Sequence, residues 1–239
     1  MTPKVAVVLA GGLGSRISAV ADGKPKILLD VAGKPFLRRK LDELARNGVT
    51  GALLLLGYGA EQVTQWLNTN PSPIAVACIV DGPTLQGTGG ALVDALPLLP
   101  ELFFLTYGDS LLELDYGKLA GRVSGDAARR SCLAVTKPQV FMDGRCNTAV
   151  RGGRVVAHSK VERTADMHWL DYGLSLLRKT HLRQFTTATR PLDLSVLYEE
   201  LSRDDKLLAH DTIEPYWEIG TPESLAYVRQ LFDEIGPFV

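Results

Sequence analysis

The chain has 239 residues, 46% of them apolar and 22% charged, with a formal net charge of −1. That apolar content is enough for a sizeable core, and the even charge balance excludes the strongly basic footprint of a nucleic-acid-binding protein. Two short basic clusters, Arg38-Arg39-Lys40 and Arg129-Arg130, read as solvated faces.

Residues 4–10, KVAVVLA, are β-branched and continuously apolar, the pattern of a strand covered on both faces. Phe36, Leu37, Leu41, Leu44 and Ala45 then share one face of a helix over 36–48, which Gly48 ends. A strand over 51–58, a helix over 60–68 and a strand over 74–80 follow. A short helix is expected at 88–95, and ELFFLTYGD (101–109) reads as a strand running into a loop. This alternation predicts a doubly wound α/β layer structure with right-handed crossovers. After about residue 130, SCLAVTK, NTAVRGGRVVAHSK and HWLDYGLSLL read as strands, partly antiparallel, with a hairpin at Gly152-Gly153. A helix over 193–202 and a short strand over 206–210 precede the last helix. That helix has Thr221 as N-cap, Pro222 at its first position, and Leu225, Val228, Phe232 and Ile235 along one face. No repeat or linker interrupts the chain, so one domain over 1–239 with a substrate-side lobe is expected.

The three cysteines, Cys78, Cys132 and Cys146, are scattered, which suits a reducing compartment better than a disulfide framework; Cys78 and Cys132 read as small buried hydrophobes. The apolar run after Lys4 reads as a strand rather than a signal peptide. No apolar run approaches the roughly 20 residues of a membrane span. A soluble cytoplasmic protein with no membrane partner is expected. The four histidines, His158, His168, His181 and His210, match no zinc spacing and read as surface or structural groups.

The first strand stops in Gly11-Gly12-Leu13-Gly14-Ser15-Arg16. Bare backbone N–H groups in such a turn form an anion site, and a guanidinium beside them adds a permanent charge suited to phosphate. The Walker pattern is absent, and the dinucleotide fingerprint would need glycine at position 17, where Ile17 stands.

Leu9-Ala10-Gly11-Gly12-Leu13-Gly14-Ser15-Arg16-Ile17, Lys24-Pro25 and Gly33-Lys34-Pro35 together resemble the opening signature of the sugar-phosphate nucleotidyltransferases. The likeness continues in Leu85-Gln86-Gly87-Thr88-Gly89-Gly90-Ala91, in Tyr107-Gly108-Asp109-Ser110, and in Trp217-Glu218-Ile219-Gly220-Thr221-Pro222, where glutamate takes the usual aspartate position. The resemblance implies a three-layer, doubly wound, Rossmann-like fold with a mixed, mostly parallel central sheet. It also implies transfer of a nucleotidyl group from a nucleoside triphosphate to a sugar 1-phosphate, with release of pyrophosphate.

It assigns the nucleotide to Leu9, Ala10, Gly11, Gly12, Gly14, Ser15, Arg16, Lys24, Gln86, Gly87, Thr88 and Gly108, with Arg16, Lys24 and Asp109 carrying catalysis. Mg²⁺ is the implied cofactor, with Asp109 and Glu218 as its ligands. Asn147, Lys160, Asp171 and Gly173 are implied for the sugar phosphate, which makes residues 1–130 the nucleotide-binding part and 131–239 the sugar-phosphate-binding part with the closing helix. Within the family the pieces most resemble stand-alone heptose or mannose 1-phosphate guanylyltransferases, which points to GTP and a heptose or hexose 1-phosphate. Uridylyl or cytidylyl transfer to N-acetylmuramate 1-phosphate or phosphocholine is the alternative, as is a catalytically silent regulatory module. The sequence leaves the oligomeric state open; such enzymes often pair, so a homodimer is one assembly the resemblance allows.

Overall fold

The computed structural model describes residues 2–82, 84, 86–138 and 146–235. The chain enters through β1 (Val5–Ala10), the glycine turn and a short helix α1 (Ser18–Ala21). The small strands β2 (Asp30–Val31) and β3 (Lys34–Pro35) lead into α2 (Phe36–Arg46). Next come β4 (Gly51–Leu56), α3 (Ala60–Thr69), β5 (Ala75–Val80), α4 (Thr88–Ala95) and β6 (Leu102–Tyr107). The second half runs β7 (Ser110–Leu112), α5 (Tyr116–Ser124), β8 (Ser131–Thr136), β9 (Thr148–Arg151), β10 (Arg154–His158) and β11 (Leu170–Arg178). It closes with α6 (Lys179–Leu182), α7 (Leu194–Arg203), β12 (Leu207–Thr212), β13 (Tyr216–Glu218) and α8 (Pro222–Ile235).

Nine strands form one sheet in the order β5-β4-β1-β6-β11-β8-β12-β10-β9. β5, β4, β1 and β6 are parallel, and so are β8 and β12. β11 and β10 run against the other seven. The sheet is therefore mixed, with one dominant direction, and its parallel half lies where the apolar runs are longest. Successive side chains explain the layering. Ala6 and Val8 face a core shared with Leu37, Leu41 and Leu44 of α2 and Leu119 of α5. Val7 and Leu9 face the opposite core, with Leu92 of α4 and Leu197 and Leu201 of α7. Both faces of β1 are thus covered, as its unbroken apolar run requires. A third core packs α8 (Leu225, Val228, Phe232) onto Ile17, Val31 and Trp217. The side chain of Ile235 and the whole of Leu85 lie outside the described residues.

Arg38-Arg39-Lys40 does not form a solvated face. Lys40 is fully buried, and Arg39 donates to the carbonyl oxygen of Val31 and stacks over the Phe232 ring at 5.0 Å. Helix α8 covers the side of α2 that an isolated helix would show to water. Arg129 is exposed, whereas Arg130 bonds Asp126 and Asp205. Gly152 and Gly153 both take positive φ and join β9 to β10 as an antiparallel hairpin. Cys132 is buried, and burial pushes its thiol up to about 12, while Cys78 and Cys146 are half-buried. No helix among the described residues is long and apolar enough to cross a membrane.

Candidate active site

A cavity of about 300 Å³ opens at the C-terminal ends of β1, β4, β5 and β6. This is the edge at which open α/β sheets hold ligands. The end of β1 and the glycine turn form its floor: Leu9, Ala10, Gly11, Gly12, Leu13 and Gly14 all line it. The glycines do different jobs. At Gly57 a Cβ would lie 2.5 Å from the Gly11 carbonyl oxygen, so the exits of β1 and β4 touch backbone to backbone. Gly14 sits at φ +61°, which favours glycine. Of the glycines in this turn, only Gly12 has open space where a side chain would go, which leaves the floor bare for a ligand. Ser15 and Arg16 are exposed beyond the rim.

The lysine facing this floor is Lys26 rather than Lys24. Lys24 is exposed and does not line the cavity. Pro25 packs so tightly on Gly59 that a Cβ there would come within 2.8 Å of it. The tight turn Lys26–Leu28 that follows aims Lys26 inward. Its Nζ lies 2.6 Å from Oδ2 of Asp109, with both side chains mostly covered.

Asp109 follows β6, where the Gly108 N–H donates to the Leu9 carbonyl oxygen at 2.9 Å and prolongs the ladder. A side chain at Gly108 would strike Ile27 and Ala10. The β7–β13 pair sets Glu218 opposite Ser110, and the Ile219 N–H donates to the Asp109 carbonyl oxygen. Two residues far apart in sequence thus meet. Burial raises the Glu218 carboxyl above the usual range and the charge of Asp109 adds to it, against the pull of Lys26 and Arg16. Glu218 lies outside the cavity lining but folds back over Gly220, where any Cβ would displace it. These two carboxylates are an all-oxygen donor set suited to a hard cation that takes one or two protein carboxylates. Among the described residues no cluster of three or more His, Cys, Asp or Glu forms a fuller metal site.

The opposite wall comes from Gly87, Thr88 and Ala91. Gly87 sits at φ +77°, and a Cβ there would run into the Leu192 carbonyl oxygen. Gly89 and Gly90 donate their N–H groups to that same oxygen, and Thr88 Oγ1 accepts from the Leu194 N–H at 2.9 Å. The glycines of this segment therefore let α4 dock on the chain before α7, and only Gly87 reaches the cavity. Gln86 donates to the Thr84 carbonyl oxygen and does not line it.

Tyr107 lines the cavity and links it to the second cluster, its Oη donating to Asp171 Oδ2 at 3.3 Å. Asp171 Oδ1 accepts from the Gly173 N–H, and Asn147 Oδ1 accepts from the Asp171 N–H. Gly173, at φ +94°, sits where the β11–β8 register shifts, and the bulge turns this group toward the cleft. Burial raises the Asp171 carboxyl, and the charge of Lys160 opposes the rise. Lys160 is exposed and paired with Asp193 at 3.0 Å. Asn147, Asp171 and Gly173 thus form one hydrogen-bonded group with Lys160 close by.

Four residues escaped the sequence reading: Lys26, Tyr107, Asp193 and Asp81. Asp81, at the end of β5, lines the cavity. Burial raises its carboxyl, and the charge of Asp94 adds to the rise. For Tyr107 a signal existed, because it stands in a quoted motif, and Lys26 directly follows the quoted Lys24-Pro25; Asp81 and Asp193 stand in none.

Residues 6–139 match the MobA-like NTP transferase domain. The D-glycero-alpha-D-manno-heptose 1-phosphate guanylyltransferase of Campylobacter jejuni is 25% identical over 91% of this chain and 95% of its own length. The bifunctional IPC transferase and DIPP synthase of Rubrobacter xylanophilus is 30% identical over 95% of this chain, which spans about half (51%) of that protein. Among solved structures, the inositol-1-phosphate CTP transferase from T. maritima superposes with a TM-score of 0.80 at 21% identity, covering 100% of this chain and 98% of its own. HddC from Yersinia pseudotuberculosis, complexed with GMP-PN, superposes with a TM-score of 0.78 at 24% identity, covering 96% and 100%. At these identities the structural likeness shows a shared fold.

Proposed function

Because the chain belongs to the MobA-like NTP transferase family, we propose that it transfers a nucleotidyl group from a nucleoside triphosphate to a sugar 1-phosphate, with GTP and a heptose or hexose 1-phosphate as its substrates. The observation that carries this reading is the Lys26–Asp109 pair, 2.6 Å apart, facing a bare glycine floor across one cavity. The near equal-length match to the heptose 1-phosphate enzyme supports the acceptor class.

An oxygen of the acceptor phosphate attacks the α-phosphorus. A new O–P bond forms, and the bond from that phosphorus to the α,β-bridging oxygen breaks. Pyrophosphate leaves with that oxygen and its electron pair. A phosphate monoester is mostly dianionic at neutral pH, its second pKa being about 6, so the nucleophile needs no activating base. The barrier is the meeting of two anions, and catalysis is positioning plus neutralisation. The backbone N–H groups of Gly11, Gly12 and Gly14 cradle the triphosphate. The Lys26 ammonium meets charge at the α-phosphate, and Arg16, at the rim, balances the departing pyrophosphate. Asp109 and Glu218 are the residues that would hold Mg²⁺, which supplies charge neutralisation to the phosphate oxygens when bound. Tyr107, Asp171, Asn147 and Lys160 form the acceptor side.

The test is pyrophosphate release from each common triphosphate with Mg²⁺ and a panel of hexose and heptose 1-phosphates. Turnover with GTP and at least one acceptor is expected, and Asp109→Ala should abolish it. Silence across the panel would refute the reading.

A further inference from the structure

Of the acceptor-side groups named above, Lys160 alone carries a positive charge, and nothing in its own segment fixes where that charge lies. The residue follows β10, where the Ser159 N–H donates to the Asn147 carbonyl oxygen at 2.9 Å and Ser159 Oγ accepts from the Val161 and Glu162 N–H groups. These bonds fix the backbone of the turn but leave the long, flexible lysine stem half-exposed. Resting on the nucleotidyl-transfer reading, we propose that Asp193 is a positioning residue for the reaction: it holds the Lys160 ammonium where the acceptor phosphate arrives.

Asp193 is itself held from the nucleotide side. Its neighbour Leu192 donates its N–H to the Gln86 carbonyl oxygen at 2.8 Å and accepts from the Gly89 and Gly90 N–H groups at 2.8 and 3.0 Å. Leu194, on the other side, donates to Thr88 Oγ1 at 2.9 Å. Gly87 and Thr88 line the cavity, so the backbone around Asp193 is bolted to the cavity wall. The Asp193 side chain caps α7, its Oδ1 accepting from the Ser195 N–H at 2.8 Å. It also accepts from Lys160 Nζ, at 3.0 Å through Oδ1 and 3.3 Å through Oδ2. Among the described residues, no other carboxylate bonds Lys160. The place of the ammonium is therefore set from the nucleotide wall and not from the loop that carries it.

A carboxylate beside an arriving phosphate dianion also repels it, and two features decide the balance. Asp193 stands at the N-terminus of a ten-residue helix, whose positive end offsets part of its charge. It also engages at most two of the three ammonium donors, which leaves one for the acceptor. Burial opposes its charge, yet the Ser195 N–H and the Lys160 ammonium hold the Asp193 carboxyl below the usual range, so the anchor stays ionised at neutral pH. The charge of Lys160 acts on the Asp171 carboxyl as well, which sets the held ammonium beside the hydrogen-bonded acceptor group. The entropy of ordering a long side chain is then lost on folding rather than at binding.

Steady-state pyrophosphate release tests this, with the hexose or heptose 1-phosphate that turns over best varied at saturating GTP. Asp193→Ser keeps a capping oxygen for the Ser195 N–H but is uncharged and too short to hold Lys160. Its acceptor KM should rise roughly threefold to tenfold, the scale of immobilising one long side chain, while kcat and the GTP KM stay within about twofold. Its Tm should stay within about 2 °C of the unmodified chain, because the cap survives. Lys160→Ala should raise the acceptor KM further, and adding Asp193→Ser to it should change nothing more. An unchanged or lower acceptor KM in Asp193→Ser would overturn the inference. So would a full further loss in the double variant, or a matching rise in the GTP KM, the mark of a loosened cavity wall. A chain that turns over while Asp193→Ser leaves the acceptor KM alone refutes this inference only; one that releases no pyrophosphate with any acceptor refutes the transfer reading with it.

Discussion

Lys24 and Lys26 flank one proline and carry the same charge, yet only Lys26 meets Asp109 in the cleft. The difference comes from outside the segment. Pro25 seats on Gly59, at the start of α3, and the turn after it swings Lys26 inward. The linear motif Lys24-Pro25 stops one residue short of Lys26 and cannot record that contact. Lys26→Ala removes the fixed positive charge nearest the proposed α-phosphate, so turnover in the pyrophosphate assay should fall roughly a hundredfold or more, the scale of losing one preorganised donor. Lys24→Ala changes an exposed side chain and should stay within about twofold of the unmodified enzyme. Equal losses would return the role to both lysines. The glycines divide in a similar way. Gly12 and Gly87 bound the cavity, whereas Gly57 and Gly89 answer to backbone packing and Gly90 to the Arg190 side chain. Composition alone makes them look alike.

At the scale of elements, long periodic segments were the legible ones. β1, α2, β4, α3, β5, α4, β6, α7 and α8 follow from apolar period, glycine stops and the Thr221-Pro222 start. The three-residue strands β7 and β13 were not legible, because their pairing joins Ser110 to Glu218 across half the chain. Helix α5 also went unread, although its Asp115 cap accepts from the Gly117 N–H in the usual manner. The β9–β10 hairpin was legible, but its buried histidine was not. His158 is 2% exposed, bonded through Nδ1 to Thr148 Oγ1 at 3.0 Å and set edge-on to Tyr198 of α7. Burial holds it at about 4, with the charge of Lys160 helping and that of Asp193 opposing. In the unfolded chain it titrates near 6.5. Between these values the unfolded state binds a proton that the folded state refuses, so stability falls as pH falls from about 6.5 to about 4. The total loss is roughly 3 kcal/mol, or about 6–12 °C in Tm. His158→Gln keeps a polar end for Thr148 but cannot take that proton. Thermal melts at stepped pH should show the variant's acid limb flatter by that amount; parallel curves would show that His158 does not set it.

At the scale of the whole molecule, the site depends on a charge pair that never meets water. Lys40 and Glu43 of α2 lie 2.9 Å apart with no exposure. Around them, Glu43 accepts from Tyr116 Oη of α5 at 2.6 Å and from the Leu112 N–H of β7 at 3.0 Å, while Lys40 reaches Thr106 of β6 at 3.4 Å. Thr106 and Leu112 bracket the turn that carries Asp109, so one network ties helix, sheet and small hairpin around the proposed metal ligand. Burial lowers the Lys40 ammonium, which the charge of Glu43 and then of Asp109 oppose. No buried side-chain polar atom among the described residues lacks a partner, so removing one member strands the rest. Glu43→Gln leaves the buried ammonium without its counter-charge and should cost about 3–5 kcal/mol, roughly 6–20 °C in Tm. Lys40→Met alone strands the carboxylate and should cost a similar amount. The double variant Lys40→Met/Glu43→Gln removes both charges, and its amide can accept from the Leu112 N–H through Oε1 while the Tyr116 hydroxyl turns to accept from Nε2, so it should regain most of the loss. Chemical denaturation of the four proteins measures the coupling directly. Additive losses would mean that the two charges act separately and that the turn bearing Asp109 is held by packing alone.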